Sequence, residues 1–330
     1  MVHQEIVRNI LYVTTKKEAM CMRFPKEVRI CEDVTRDGFQ STENIVSVED
    51  KLNIIRMVED AGVQCIEVGA FSSYESMKKM RNTRDVFCQL QQKKGVQYRA
   101  LVFAPDGAEE AASCGCRNLK INISASDQHH KNGTGLSTHE AMETFGKIKD
   151  IAKHNGMEMA GSISLPFRSP FPGEGLIPME KLTSIIRGFL EIKITEISLS
   201  DAAGLGDPML IYDRVMKLKD IFPQVSWMLH MHNTHGMGLA GVTAALAAGI
   251  TKFDSSLAGL GGCPYIEGAT GNVATEDLIF MLHHMGIRTG INLEKVILAG
   301  QYVERLVEGK GTDSYIQRIT RRETACDSRM

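Results

Sequence analysis

Apolar runs of strand character recur along the chain at intervals of roughly 25 to 35 residues, and most are followed by a stretch whose apolar positions repeat at helical spacing. The runs are EVRICEDV (27–34), CIEVGAF (65–71), QYRALVF (97–103), NLKINISAS (118–126), MEMAGSISL (157–165), ITEISLSDAA (194–203), SWMLHMHN (226–233) and TKFDSSLAGL (251–260). The segment VEDKLNIIRMVEDAG, after the first run, shows the helical rhythm. Ile54, Ile55 and Val58 with Leu52 make an inward stripe, and Gly62 offers the C-cap.

Eight strands, each trailed by a helix, close most economically as a parallel (β/α)8 TIM barrel, a fold of about 250 residues. The remainder is expected as an N-terminal extension (1–26), with the barrel over 27–290 and a C-terminal helical tail over 291–330 packed on the barrel. No Pro/Ser-rich linker divides the chain. The Gly/Pro-rich pieces SPFPGEGLIP and AGLGGCPYIEGATGN instead follow the fifth and eighth runs, where loops of the barrel's C-terminal face belong.

Composition narrows the partners. A formal net charge of −2 provides no field that would favour nucleic acid or an anionic membrane. No window approaches a membrane span, and the N-terminus lacks the unbroken apolar core of a signal peptide, so a cytoplasmic protein is expected. The terminal SRM keeps a peroxisomal address open as the lesser alternative. The 8 cysteines lack paired C-x-x-C spacing and read as reduced thiols, with the CGC at 114–116 as packing.

The chemistry concentrates at strand ends. On a strand His230 and His232 point to one side, and at the mouth of a barrel they could ligate a metal; a hydrogen-bonded pair of core histidines is the plainer alternative. Asp37, just after the first strand, can supply a hard anionic oxygen, although Asp-Gly is also an ordinary turn pair. Arg36 beside it suits an oxyanion. Glu67 stands in an apolar strand, where an unpaired carboxylate is costly, and Arg36 is the cation expected to hold it. Asp201 either accepts a hydrogen bond from substrate or ligand, or serves a turn. In the loop after the eighth strand, Cys263 sits between Gly262 and Pro264, where a nearby Arg36 or metal would favour its thiolate. Asn272 offers a neutral oxygen. Asp37, His230, His232 and Asn272 together make a mixed N and O donor set that suits Mg²⁺ or Mn²⁺ better than structural zinc, with Zn²⁺ still open by ligand type.

The motifs TRDGFQ, IEVGAF, HMHNTHG, AGLGGCPYIEGATGNVATEDL and NLEKVILAGQYV resemble, in order and spacing, the hydroxymethylglutaryl-CoA lyase family of metal-dependent TIM-barrel enzymes. The resemblance spans residues 27 to about 300, and its cysteine loop is more specific than the H-x-H and RDG shared with related aldolases and Claisen condensing enzymes. It implies a divalent cation on Asp37, His230, His232 and Asn272, with His230 also counted among the catalytic groups. Arg36 would stabilise an enolate oxygen, Glu67 would hold Arg36, Asp201 would assist at the substrate, and Cys263 would transfer a proton as its loop closes. It further implies an acyl-CoA substrate cleaved to acetyl-CoA and acetoacetate, a homodimer, and a tail cysteine at Cys326. Two loops depart from the family pattern, SSYESMKKMRNT and PFRSPFPGEG, and leave acyl specificity open to citramalyl-CoA or a longer 3-hydroxyglutaryl-CoA. Outside the lyases, the alternatives are a condensing enzyme or aldolase, and a catalytically silent binding barrel.

Overall fold

The computed structural model describes residues 23–327, with side chains through Arg321. Expectations for residues 1–22, for the Cys326 side chain and for the terminal SRM lie outside the described residues. The strands are β1 (Arg29–Glu32), β2 (Cys65–Phe71), β3 (Gln97–Val102), β4 (Asn118–Ser124), β5 (Glu158–Ser164), β6 (Glu196–Asp201), β7 (Ser226–Met231) and β8 (Lys252–Ser255). All pair in parallel in chain order, and β8 closes on β1 with Ile30 opposite Phe253 and Cys31 opposite Asp254. The expected (β/α)8 barrel is therefore the observed fold.

Several strands stop short of their apolar runs. Past Glu32 the chain winds into a tight helical turn over Val34–Gly38, and past Ser255 it enters another over Leu257–Gly259, in which Ala258 takes φ 57°. Val34, Leu257 and Ala258 remain buried, so their apolar character seats the mouth loops instead of extending the ladder. This separates burial from strand pairing at the end of the barrel where the site lies.

The helix Val48–Asp60 begins at Ser47, whose hydroxyl accepts from the Asp50 amide at 3.0 Å, and Gly62 follows its end with φ 102°. Ile54, Ile55 and Val58 are fully buried as expected; Leu52 is only half-buried. Lys51 goes inward in its place, because its Nζ finds Asn82 Oδ1 at 2.8 Å. The tail supplies the helices Leu293–Leu306 and Tyr315–Asp327. The first packs between Thr275–His284 and Val48–Asp60, completing the helical ring. The second starts on Asp277, whose carboxylate accepts from the amides of Tyr315 and Ile316, each at 2.9 Å. Among the described residues no helix is long and apolar enough to cross a membrane.

Polar groups also fill part of the barrel interior. Lys120 on β4 reaches Glu67 at 2.8 Å and Asp254 at 3.0 Å, so each buried charge has an opposite partner.

Candidate active site

The turn after β1 is clamped by Glu32, whose carboxylate accepts from the Val34 amide at 3.0 Å and the Leu257 amide at 2.8 Å. That clamp delivers Arg36 and Asp37 to the barrel mouth. The Arg36 guanidinium is paired with Asp37 and lies 3.1 Å, through Nε, from Glu67 Oε1. Burial opposes charge on both partners, yet Asp37 and Glu67 hold Arg36 firmly protonated; Arg36 and the two imidazoles keep the Asp37 carboxyl below its ordinary value.

His230 and His232 come off β7 on one face, with their Nε2 atoms 3.2 Å apart. Their hydrogen bonds set the tautomers. His232 Nδ1 has the Thr270 carbonyl at 2.9 Å and His230 Nδ1 has Asp254 Oδ2 at 3.2 Å, so both Nδ1 atoms carry the proton and donate. Two nitrogen lone pairs are then left facing one another. Burial pushes the His232 imidazole down to about 4, which opposes a proton shared between the rings. Asp37 Oδ2 lies 3.6 Å from His232 Nε2 and 4.0 Å from His230 Nε2, and ligand atoms of the three residues all fall within 4.8 Å of one another. Two lone pairs and a carboxylate converging in a buried space fit a cation.

Asn272 joins them from the loop after β8. Its Nδ2 donates to Asp37 Oδ2 at 2.7 Å and to the Leu260 carbonyl at 2.9 Å, which fixes the amide's orientation and leaves Oδ1 buried without a hydrogen-bond partner. The loop reaches this position because residue 271 is glycine: a Cβ there would collide with the Gly259 carbonyl oxygen. Cys263 lies on the same loop and lines a cavity at the barrel mouth together with Arg36, Asp37, His230 and His232.

The settings of Cys263 and Asp201 bear on their expected roles. Burial drives the Cys263 thiol up to about 11, with Asp37 adding to the effect and Arg36 only partly offsetting it, so proximity to Arg36 does not by itself favour the thiolate. Asp201 is fully buried and does not line the cavity. Its Oδ2 accepts from the Gly206 amide at 2.7 Å and the carboxylate turns into the 202–206 loop, the turn role that its sequence context also allowed. Asp201 therefore orders backbone beside the site through Oδ2, while its Oδ1 is buried without a hydrogen-bond partner.

Other groups escaped the sequence reading. Asp254 and Asp33 flank His230 Nδ1 at 3.2 and 3.6 Å, and Lys120 bridges Asp254 to Glu67. His129 places Nε2 3.4 Å from Cys263 Sγ, and burial lowers its imidazole to about 4. Polar residues two apart, such as Lys252 and Asp254 in KFDS or Lys120 and Asn122 in KINIS, are the local trace of an inward polar face. His129 leaves no such trace, since it meets Cys263 only through the tertiary fold.

The model of the HMGL-like family matches residues 27–303. The mitochondrial hydroxymethylglutaryl-CoA lyase of Macaca fascicularis is 34% identical over 293 residues, 89% of this chain and 90% of that one. A hydroxymethylglutaryl-CoA lyase of Bacillus subtilis is 34% identical over 283 residues, 86% of this chain and 94% of that one. Among solved structures, a Bacillus subtilis HMG-CoA lyase superposes with TM-score 0.85 at 32% identity, covering 90% of this chain and 99% of its own. An HMG-CoA lyase from Acinetobacter baumannii, in complex with coenzyme A and 3-methylmalate, superposes with TM-score 0.84 at 29% identity, covering 89% and 95%.

Proposed function

The chain belongs to the HMGL-like family, and from that premise we propose that it is a divalent-metal-dependent carbon–carbon lyase. Its substrate would be a 3-hydroxy-3-methylglutaryl-CoA-type thioester, cleaved to acetyl-CoA and a keto acid such as acetoacetate. Asp37, His230, His232 and Asn272 would hold the cation, Mg²⁺ or Mn²⁺ by the hardness of the oxygen donors. The observation that carries the reading is the pair of imidazole lone pairs facing each other at 3.2 Å beside Asp37.

When bound, such a cation supplies Lewis acidity towards the substrate's hydroxyl and carboxylate. The protein's own groups do the rest. Asp33, which lines the cavity beside His230 with both carboxylate oxygens free of hydrogen bonds and its carboxyl raised by burial, is the base placed to take the hydroxyl proton. Arg36, held by Glu67, presents its guanidinium to the thioester oxygen as the carbon–carbon bond breaks and its electron pair becomes an enolate. Cys263, protonated by burial, is suited to give its proton to the enolate carbon.

The test is incubation with a panel of 3-hydroxyacyl-CoA thioesters and Mn²⁺ or Mg²⁺, followed by release of acetyl-CoA. Equilibrium dialysis of Mn²⁺ against the protein and its His232→Ala variant provides the metal arm. Formation of acetyl-CoA together with weaker Mn²⁺ retention by the variant is expected; no product from any thioester would sink the reading.

A further inference from the structure

β4, β5 and β6 turn a hydrogen-bonding wall to the cavity. Lys120, Asn122 and Ser124 on β4, Ser162 and Ser164 on β5 and Ser200 on β6 all line it. The alternate positions Leu119, Ile121, Ile123, Ile163 and Leu199 are buried on the other face. Barrel interiors are ordinarily filled by branched apolar side chains, so this polarity is a departure that the barrel itself does not require.

Part of the wall is satisfied internally. Lys120 is bound by Glu67 and Asp254, Ser164 Oγ donates to Asn122 Oδ1 at 3.0 Å, and Ser124 Oγ reaches the Ser164 carbonyl at 3.4 Å. Among the described residues, the Ser162 and Ser200 hydroxyls and the Asn122 amide N–H groups make no hydrogen bond to protein; Ser162 is 5% exposed, and Asn122 and Ser200 are half-buried at the cavity. These groups face one region of the cavity, where a polar group of a ligand can replace water on them.

In barrel order β4–β6 stand opposite β8, β1 and β2, so the wall faces Asp37 across the cavity. A substrate whose hydroxyl and carboxylate lie on the Asp37 side and whose thioester reaches Arg36 turns the fourth substituent of its tertiary carbon to the wall. A methyl group would displace water from these three groups without replacing its hydrogen bonds, whereas a hydroxylated substituent would replace them. The group is neutral, because the wall's one cation, Lys120, is already shared between two carboxylates.

We propose that the acyl group carries a hydroxymethyl-class substituent in place of methyl on its hydroxyl-bearing carbon, recognised by Ser162, Ser200 and Asn122. This rests on the lyase reading above. For 3-hydroxy-3-(hydroxymethyl)glutaryl-CoA the reaction balances without a co-reactant. The bond between C2 and C3 breaks, the C3 hydroxyl proton is lost as C3 becomes the ketone of 4-hydroxy-3-oxobutanoate, and C2 gains a proton as the methyl of acetyl-CoA.

The experiment compares that thioester with its methyl counterpart on the Mn²⁺-loaded full-length protein, in wild type, Ser162→Ala, Ser200→Ala and Asn122→Leu. Binding of 4-hydroxy-3-oxobutanoate and acetoacetate is measured calorimetrically on the same proteins. Expected is a wild-type kcat/KM at least ~10-fold higher for the hydroxymethyl thioester, with the ratio collapsing towards one in the variants and the binding preference falling alongside. Wild type favouring the methyl thioester, or variants that keep the ratio, overturns this inference alone. Cleavage of neither thioester overturns the lyase reading and this inference with it.

Discussion

Arg36 shows how much of this site's chemistry depends on one side chain's shape. Its guanidinium engages Asp37 and Glu67 simultaneously, a two-sided arrangement that a lysine ammonium keeps in charge but not in geometry. Arg36→Lys is therefore expected to lower kcat by on the order of 100-fold while Mn²⁺ still binds, measured by steady-state kinetics and dialysis side by side. Near-normal kcat in that variant would remove Arg36 from the enolate role. At the same scale, His129 is the imidazole 3.4 Å from Cys263 Sγ. Replacing it by phenylalanine leaves the thiol in a more apolar setting, so carbamidomethylation of Cys263 at pH 8, followed by peptide mass spectrometry, should slow by about fivefold. Unchanged labelling would show that the contact does not act on the thiol.

At the scale of elements, the loops beyond β1, β7 and β8 share backbone as well as ligands. The Asn233 amide donates to the Gly271 carbonyl at 2.8 Å and the Val273 amide to the Met231 carbonyl at 2.9 Å, which ties the Asn272 segment to the end of the histidine strand. Gly271→Ala forces a Cβ against the Gly259 carbonyl, a backbone atom that cannot step aside cheaply. Mn²⁺ affinity is expected to fall at least ~10-fold because the segment carrying Asn272 must shift. Dialysis of the variant with an undiminished affinity would mean the loop tolerates the displacement.

For the whole molecule, closure of the barrel buries ionisable groups beneath the mouth loops as well as in the site, and stability should record it. Burial raises the Glu276 carboxyl to about 8, against which its bonds from the Ala258 amide and Gln317 Nε2 work only in part. The unfolded chain loses that proton near the ordinary glutamate value of about 4.3, whereas the folded protein keeps it to about 8. The unfolded state therefore binds fewer protons in that window, and this group's contribution to stability falls as pH rises through it. Thermal unfolding across the window should show a shallower decline for Glu276→Gln than for wild type; equal slopes would contradict the assignment. A site assembled from three loops should also couple metal to folding, with excess Mn²⁺ at 100 times its Kd adding about 2.7 kcal/mol and EDTA removing it.

The eight strands, the pairing of His230 with His232 on one face and the glycine-bearing cysteine loop were determined by the sequence alone, because alternation, spacing and chain flexibility are local properties. The family motifs carried the fold further than periodicity could, since they mark the strand ends. What surrounds those residues was decided only by barrel closure. Asp201 turned into its own loop, Lys51 displaced Leu52 from the inward stripe, and burial kept Cys263 a thiol. Asp254, Lys120 and Glu67 met inside the barrel from β8, β4 and β2. No repeat along the chain encodes such meetings: which buried charge finds which partner depends on strands brought face to face across the interior, and that distance exists only once the sheet has closed.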